Sequence, residues 1–139
     1  LSEEPYDHLS PEQRRMMSGE PYYRRKTRQQ ALEDEEFYKK ETEKTRKDIE
    51  RAIQDAIKGE QSAPPTAKPG KRWIQSATYE IAYKAGLQGV QNAKDGKPKD
   101  QEIADEYEKH VNNGYSPLLF PRGKAYLEAY ERQSKLQEK

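Results

Sequence analysis

The clearest helical pattern in this chain runs from about Thr27 to Lys58. No proline or glycine interrupts it, and Gly59 stands where a helix-ending glycine belongs. Its apolar positions fall into two groups. Ala31, Leu32, Phe37 and Tyr38 lie near the start, and Ile49, Ala52, Ile53, Ala56 and Ile57 near the end. The second group follows i, i+3, i+4 spacing and predicts one apolar stripe. The stretch between them, Lys39 to Asp48, is wholly polar and predicts a solvated rod. Glu35–Lys39, Glu36–Lys40 and Glu43–Lys47 are expected i, i+4 ion pairs along it.

Three further helices are predicted downstream. The first runs from about Trp73 to Ala93, with Ile74, Ala77, Ile81, Ala85 and Gly89 on one face. Ala82 with Gly86, and Ala85 with Gly89, are small residues four apart that invite a neighbouring helix to pack closely. A turn is expected around Asp95-Gly96. Asp100 then caps a helix to about Asn112, on which Ile103, Tyr107, His110 and Val111 form an apolar face. Asn113-Gly114 ends it. The stretch Tyr115–Pro121 (YSPLLFP) is the most hydrophobic of the chain, but its two prolines forbid a long regular element. A last helix spans about Arg122 to Gln137.

Upstream, residues 1–9 read as an irregular arm. Ser10, Pro11 and Gln13 open a short helix that stops near Gly19. Gly59 to Lys71 (GEQSAPPTAKPGK) reads as a linker. The expected architecture is all-α: a long polar helix plus a small C-terminal three-helix unit, with an irregular N-terminal arm. The expected boundaries are 1–58 for the arm and helices, 59–71 for the linker and 72–139 for the C-terminal unit.

Composition alters this picture. Of 139 residues, 31% are hydrophobic and 37% charged, so little apolar area is available to offset the ordering of the chain. Extension, partial disorder or completion by a partner is expected. Ten tyrosines against two phenylalanines lean toward half-wet surfaces. The net charge of +1 argues against non-specific coating of nucleic acid or membrane. No apolar run approaches a membrane span, so no membrane partner is expected. Absence of cysteine excludes a disulfide or a thiol nucleophile. Leu1 to Ser10 carries three acids and no base, unlike a secretory or mitochondrial leader. An intracellular, cytoplasmic location is the expectation.

No motif fixes a reaction. His8 and His110 are the only histidines, without metal-ligand spacing. Acidic pairs such as Glu35/Glu36 and Asp105/Glu106 sit on faces expected to be wet, where carboxyls keep ordinary pKa values. No phosphate-cradling glycine loop is present. The chain is therefore expected not to be an enzyme and to need no cofactor.

Two candidate surfaces remain. Tyr22, Tyr23, Arg24, Arg25, Lys26 and Arg28 place stackable rings beside basic groups, and Lys71, Arg72 and Trp73 form a second patch. Both suit nucleic acid, although residues 33–60 reverse the sign with ten acids against seven bases. Leu118, Leu119 and Phe120, with Tyr126 and Tyr130, are the candidate protein contact. The same Leu-Leu-Phe run could instead cap the poor core, which is the favoured reading.

Arg15–Tyr22 (RMMSGEPY) resembles the opening of the helical segment that precedes the catalytic domain of maltose acetyltransferases. The β-helix that carries acetyl transfer in that family has no counterpart here, so no activity is implied. Ala82–Gly89 (AYKAGLQG), Asn113–Pro117 (NGYSP) and Gly123–Arg132 are similar in order to segments of ribosome modulation factor. The spacing between the first two is far longer here and that family's basic character is missing. The expected function is non-enzymatic: a helical interaction or assembly protein acting through protein–protein contacts. An RNA- or DNA-associated accessory protein is the alternative.

Overall fold

A computed structural model describes residues 27–138 of the chain. The predicted arm, the short helix from Ser10 and the basic residues Tyr22 to Lys26 lie outside the described residues. Those described contain four α-helices and no strand: α1 (Arg28–Lys58), α2 (Ala77–Lys94), α3 (Gln101–Asn112) and α4 (Pro121–Gln137), with a 3-10 turn at Pro117–Leu119. The all-α expectation, with one long helix followed by a C-terminal helical group, is what the chain adopts. The chain divides into two compact units, Leu1–Tyr38 and Lys39–Lys139.

In the first unit the described residues begin with a reciprocal cap. The Thr27 hydroxyl accepts from the Gln30 N–H at 3.1 Å, and the Gln30 side-chain carbonyl accepts from the Thr27 N–H at 3.1 Å. Leu32, Phe37 and Tyr38 are all exposed here, and the Phe37 and Tyr38 rings meet edge to face.

The second unit owes its core to small residues. Only Tyr79, Tyr126, Ile49 and Ile53 are large and fully buried. Around them pack Ala52, Ala56, Ala82, Ala85, Ala125 and Ala129. A fully buried large apolar side chain contributes roughly 1.5–3 kcal/mol, so two isoleucines and two tyrosines make a thin core. Close helix approach compensates. A Cβ built on Gly89 would lie 2.5 Å from the Tyr126 carbonyl oxygen, and one on Gly86 would lie 2.9 Å from the Ala56 Cβ. The small-residue pairs of α2 thus admit α4 and α1, as their spacing predicts.

The long helix is not an outlying rod here. Its stripe of Ile49, Ala52, Ile53 and Ala56 belongs to the same hydrophobic cluster as α2 and α4. Arg132 of α4 also forks onto Glu50, with both N···O distances at 2.9 Å. Of the expected ion pairs along α1, Glu43 is taken by Arg46 instead of Lys47.

The segment read as a linker lies inside this unit. Gly59 ends α1 at φ +82°, a region open to glycine at little cost, and its N–H and that of Glu60 both donate to the Asp55 carbonyl. The chain then folds back along α1, and Pro64 is buried.

Helix α2 starts later than its sequence pattern suggests. The Ser76 hydroxyl accepts from the Tyr79 N–H at 3.1 Å and caps the helix, which leaves Trp73 to Gln75 outside it. The buried residues are Tyr79, Ala82, Tyr83, Ala85, Gly86, Gly89, Val90 and Ala93, so Ala85 and Gly89 of the predicted face do pack. Ile74 is 89% exposed and Ile81 is exposed as well, so the Ile74–Ile81 part of that face does not. Asp100 caps α3 through the Ile103 N–H, as expected. Pro117 and Pro121 each open a helical turn, which is how YSPLLFP accommodates two prolines.

Candidate functional site

An open groove of about 780 Å³ runs between the middle of α1 and the returning segment, within the second unit. Lys40, Lys44 and Lys47 line its helical wall at i, i+4, i+7 spacing, together with Lys39 and Arg51. Pro64, Pro65, Thr66 and Ile74 line the opposite wall. This is the polar stretch that reads as a solvated rod; it is solvated, but it faces a wall.

The groove lining carries a positive balance of charge, with five bases and two acids, Glu43 and Asp48. Both acids are already engaged. Glu43 pairs with Arg46, which points its guanidinium at both carboxylate oxygens, and this pairing holds the Glu43 carboxyl below its usual range. Asp48 accepts from the Ser76 hydroxyl at 2.9 Å and lies 3.9 Å from Arg51. No ion pair or hydrogen bond occupies Lys40, Lys44 or Lys47 among the described residues.

The floor is set by a buried polar cluster. The Arg51 guanidinium donates to the Ser62 carbonyl at 2.9 Å and to Gln75 Oε1 at 2.8 Å. Gln75 Nε2 donates to the same Ser62 carbonyl at 2.6 Å. Asp55, 3% exposed, accepts from the Ser62 N–H, the Ser62 hydroxyl and the Tyr79 hydroxyl at 2.8, 2.7 and 2.6 Å. Burial by itself pushes the Asp55 carboxyl up, but these hydrogen bonds and the Arg51 charge outweigh it and hold the group below its ordinary value. Burial, then the bond to Asp55, pushes the Tyr79 hydroxyl well above its ordinary value. The Ser62 and Tyr79 hydroxyls and the Ser62 N–H all converge on Asp55 Oδ2. The cluster anchors the groove's second wall to α1.

Asp48, Arg51 and Asp55 escaped the sequence reading. A signal was present: Asp48 and Asp55, seven apart with Arg51 between them, are interleaved with the Ile49–Ala56 stripe, and a carboxylate buried at the edge of such a stripe needs partners.

The sequence-predicted protein contact is dispersed. Tyr126 is fully buried, and its hydroxyl oxygen accepts from Asn92 Nδ2 at 2.6 Å and the Asp100 N–H at 2.8 Å. It latches the α2–α3 turn and presents no surface to a partner. Tyr130 is half-buried and donates to the Lys97 carbonyl at 2.6 Å in the same turn. Leu118 packs against the core, as the favoured capping reading has it, whereas Leu119 is 64% exposed. Phe120 is half-buried and stacks on His110 with ring centroids 4.3 Å apart. Leu119, Phe120 and His110 border a second, smaller apolar groove of about 240 Å³ with Ile81, Ile103 and Tyr107.

Of the basic and aromatic candidates, Lys71, Arg72 and Trp73 are consecutive and exposed. Arg28 is exposed at the start of α1 in the first unit. Tyr22, Tyr23, Arg24, Arg25 and Lys26 lie outside the described residues. Among the described residues no group of three or more His, Cys, Asp or Glu could hold a metal ion, and no helix is long and apolar enough to cross a membrane. Compared with family models, curated proteins and solved structures, the chain matches none, so neither the acetyltransferase nor the ribosome-modulation resemblance gains support.

Proposed function

We propose that this chain is a non-enzymatic helical interaction protein that joins a larger assembly by gripping a segment of a partner protein in the groove beside α1. One observation carries the reading: Lys40, Lys44 and Lys47 line a walled groove, and among the described residues none of the three is held by a hydrogen bond or ion pair. Charges arranged this way steer and orient a partner. The polar cluster beneath supports the same view. Its hydroxyls and carboxylate are taken up by mutual hydrogen bonds, a holding arrangement rather than one poised on a substrate.

The nucleic-acid reading draws on exposed Lys71, Arg72 and Trp73. It is the weaker of the two, because no aromatic ring is among the residues lining the groove, and single strands are held by stacking as well as charge. A photo-activatable cross-linker at position 44, with one at exposed Glu102 as control, separates the readings in native extract. The expected product is a protein adduct at position 44, absent from the control and resistant to nuclease. Adducts to nucleic acid alone, or equal trapping at both positions, overturn the proposal.

A further inference from the structure

We infer that the occupant of the groove is an acidic segment that also carries an aliphatic side chain, docked with its carboxylates on Lys40, Lys44 and Lys47 and its apolar group against Ile74 and Pro65. This rests on the interaction reading above and names the chemistry of the partner.

Charge complementarity comes first. The two groove acids are held by Arg46 and by Ser76 with Arg51, so the field left over is that of the lysines. Lysine is a compact ammonium on a flexible stem, suited to carboxylates at variable distance. Spacing comes second. Along a helix, positions i, i+4 and i+7 lie about 6 Å and then about 4.5 Å apart in rise. Side chains on one face of an extended segment recur every two residues, roughly 6.7 Å apart. Carboxylates at alternate positions of such a segment therefore match the lysine row, and the lysine stems absorb the remaining difference.

The opposite wall supplies the second half of the specificity. Ile74 is 89% exposed and faces the groove beside Pro64 and Pro65. Its position is fixed from its C-terminal side: Gln75 is buried and bonded to Arg51 and Ser62, and Ser76 is bonded to Asp48. The sequence could have placed Ile74 inside α2. The Ser76 cap instead holds it out as an apolar edge across from a cationic row. A purely acidic ligand would leave that edge in water. A phosphate backbone would find charge but no ring to stack its bases.

The test uses the full chain and labelled synthetic peptides by fluorescence anisotropy: a peptide alternating glutamate with serine and containing one leucine, its glutamine counterpart, and an oligo-thymidine. The glutamate peptide is expected to bind, and added salt to weaken it. Replacing the three lysines together, Lys40→Gln, Lys44→Gln and Lys47→Gln, should weaken it about tenfold or more. Ile74→Ser should weaken it about threefold without changing the salt dependence. All four positions are exposed, and circular dichroism of each variant confirms that helix content is kept. Failure of the glutamate peptide to bind at low salt, equal binding by the glutamine peptide, indifference to the lysine replacements, or tighter binding of oligo-thymidine through the same lysines overturns the inference. A protein adduct at position 44 combined with no glutamate-peptide binding removes the acidic assignment and leaves the interaction reading standing.

Discussion

Arg51 lies over the face of the Tyr79 ring, its guanidinium carbon 4.1 Å from the ring centroid. The two residues belong to different helices, and each also reaches the segment between them or its anchor. Arg51 grips Ser62 and Gln75, while Tyr79 donates to Asp55, which grips Ser62 in turn. A cation over an aromatic face is worth roughly 0.5–2 kcal/mol, more when desolvated. Here it belongs to the set of contacts that hold the proline-rich segment against α1 beside the groove.

Asp55→Ala should therefore be among the most damaging single changes. It removes the acceptor for two hydroxyls and one backbone N–H and leaves Arg51 short of a counter-charge. Breaking a buried charged cluster in this way costs about 3–5 kcal/mol. Urea unfolding followed by circular dichroism measures it, and a loss below about 1 kcal/mol would show that the cluster does not hold the fold.

Acid should unfold the protein partly through the same group. The Asp55 carboxyl sits below its ordinary value of 3.8 when folded, so its contribution is complete above that value. It is lost as pH falls through the lower, folded value. Glu50, held down chiefly by its hydrogen bond to Arg132, acts in the same direction. The wild-type chain should lose stability steeply below about pH 4, and Asp55→Asn should show a flatter acid limb. Parallel acid limbs for the two proteins would contradict this assignment.

Gly89→Ala tests the close approach of α2 and α4. Helix propensity alone favours the change by up to about 1 kcal/mol. The new methyl would meet the Tyr126 carbonyl at 2.5 Å, however, and backbone cannot swing aside as a side chain can. Overpacking of this kind costs roughly 1–3 kcal/mol. Thermal melting should show a lower midpoint; a raised one would mean that the helices separate easily.

Tyr126→Phe keeps the ring and deletes one oxygen. The Asn92 side chain and the Asp100 N–H then lose their acceptor. The expected destabilisation is about 1–3 kcal/mol, with faster amide exchange at Asp100. Unchanged exchange at that amide would show that the hydroxyl is not the latch of the α2–α3 turn.

Some of these features were legible in the residues alone. Reasoning about caps succeeds where the cap is local, as with Asp100 and the Ile103 N–H three residues away. The small pairs Ala82/Gly86 and Ala85/Gly89 announced tight packing and received it. The start of α2 falls later than the spacing predicts, because Trp73 and Ile74 continue the apolar spacing backward beyond the cap. Ser76 wins that contest since its hydroxyl both accepts from the Tyr79 N–H and donates to Asp48, a partner 28 positions away. Tyr126 and Tyr130 carry a related ambiguity. A tyrosine on a helix reads the same whether its hydroxyl meets water or a backbone group across a turn.

The residues themselves determined the helices, their glycine and proline ends, and the shortage of large apolar side chains. Each follows from interactions within a few positions of the chain, so spacing and composition suffice to read it. Only the tertiary structure decided which face of α2 is buried, that the proline-rich segment folds back on α1, and that three lysines are left to line a groove. Those outcomes depend on contacts such as Arg51 with Gln75 and Glu50 with Arg132, 24 and 82 positions apart. At such separations a charge is neutralised or left open by where the backbone brings it, and no local pattern records that.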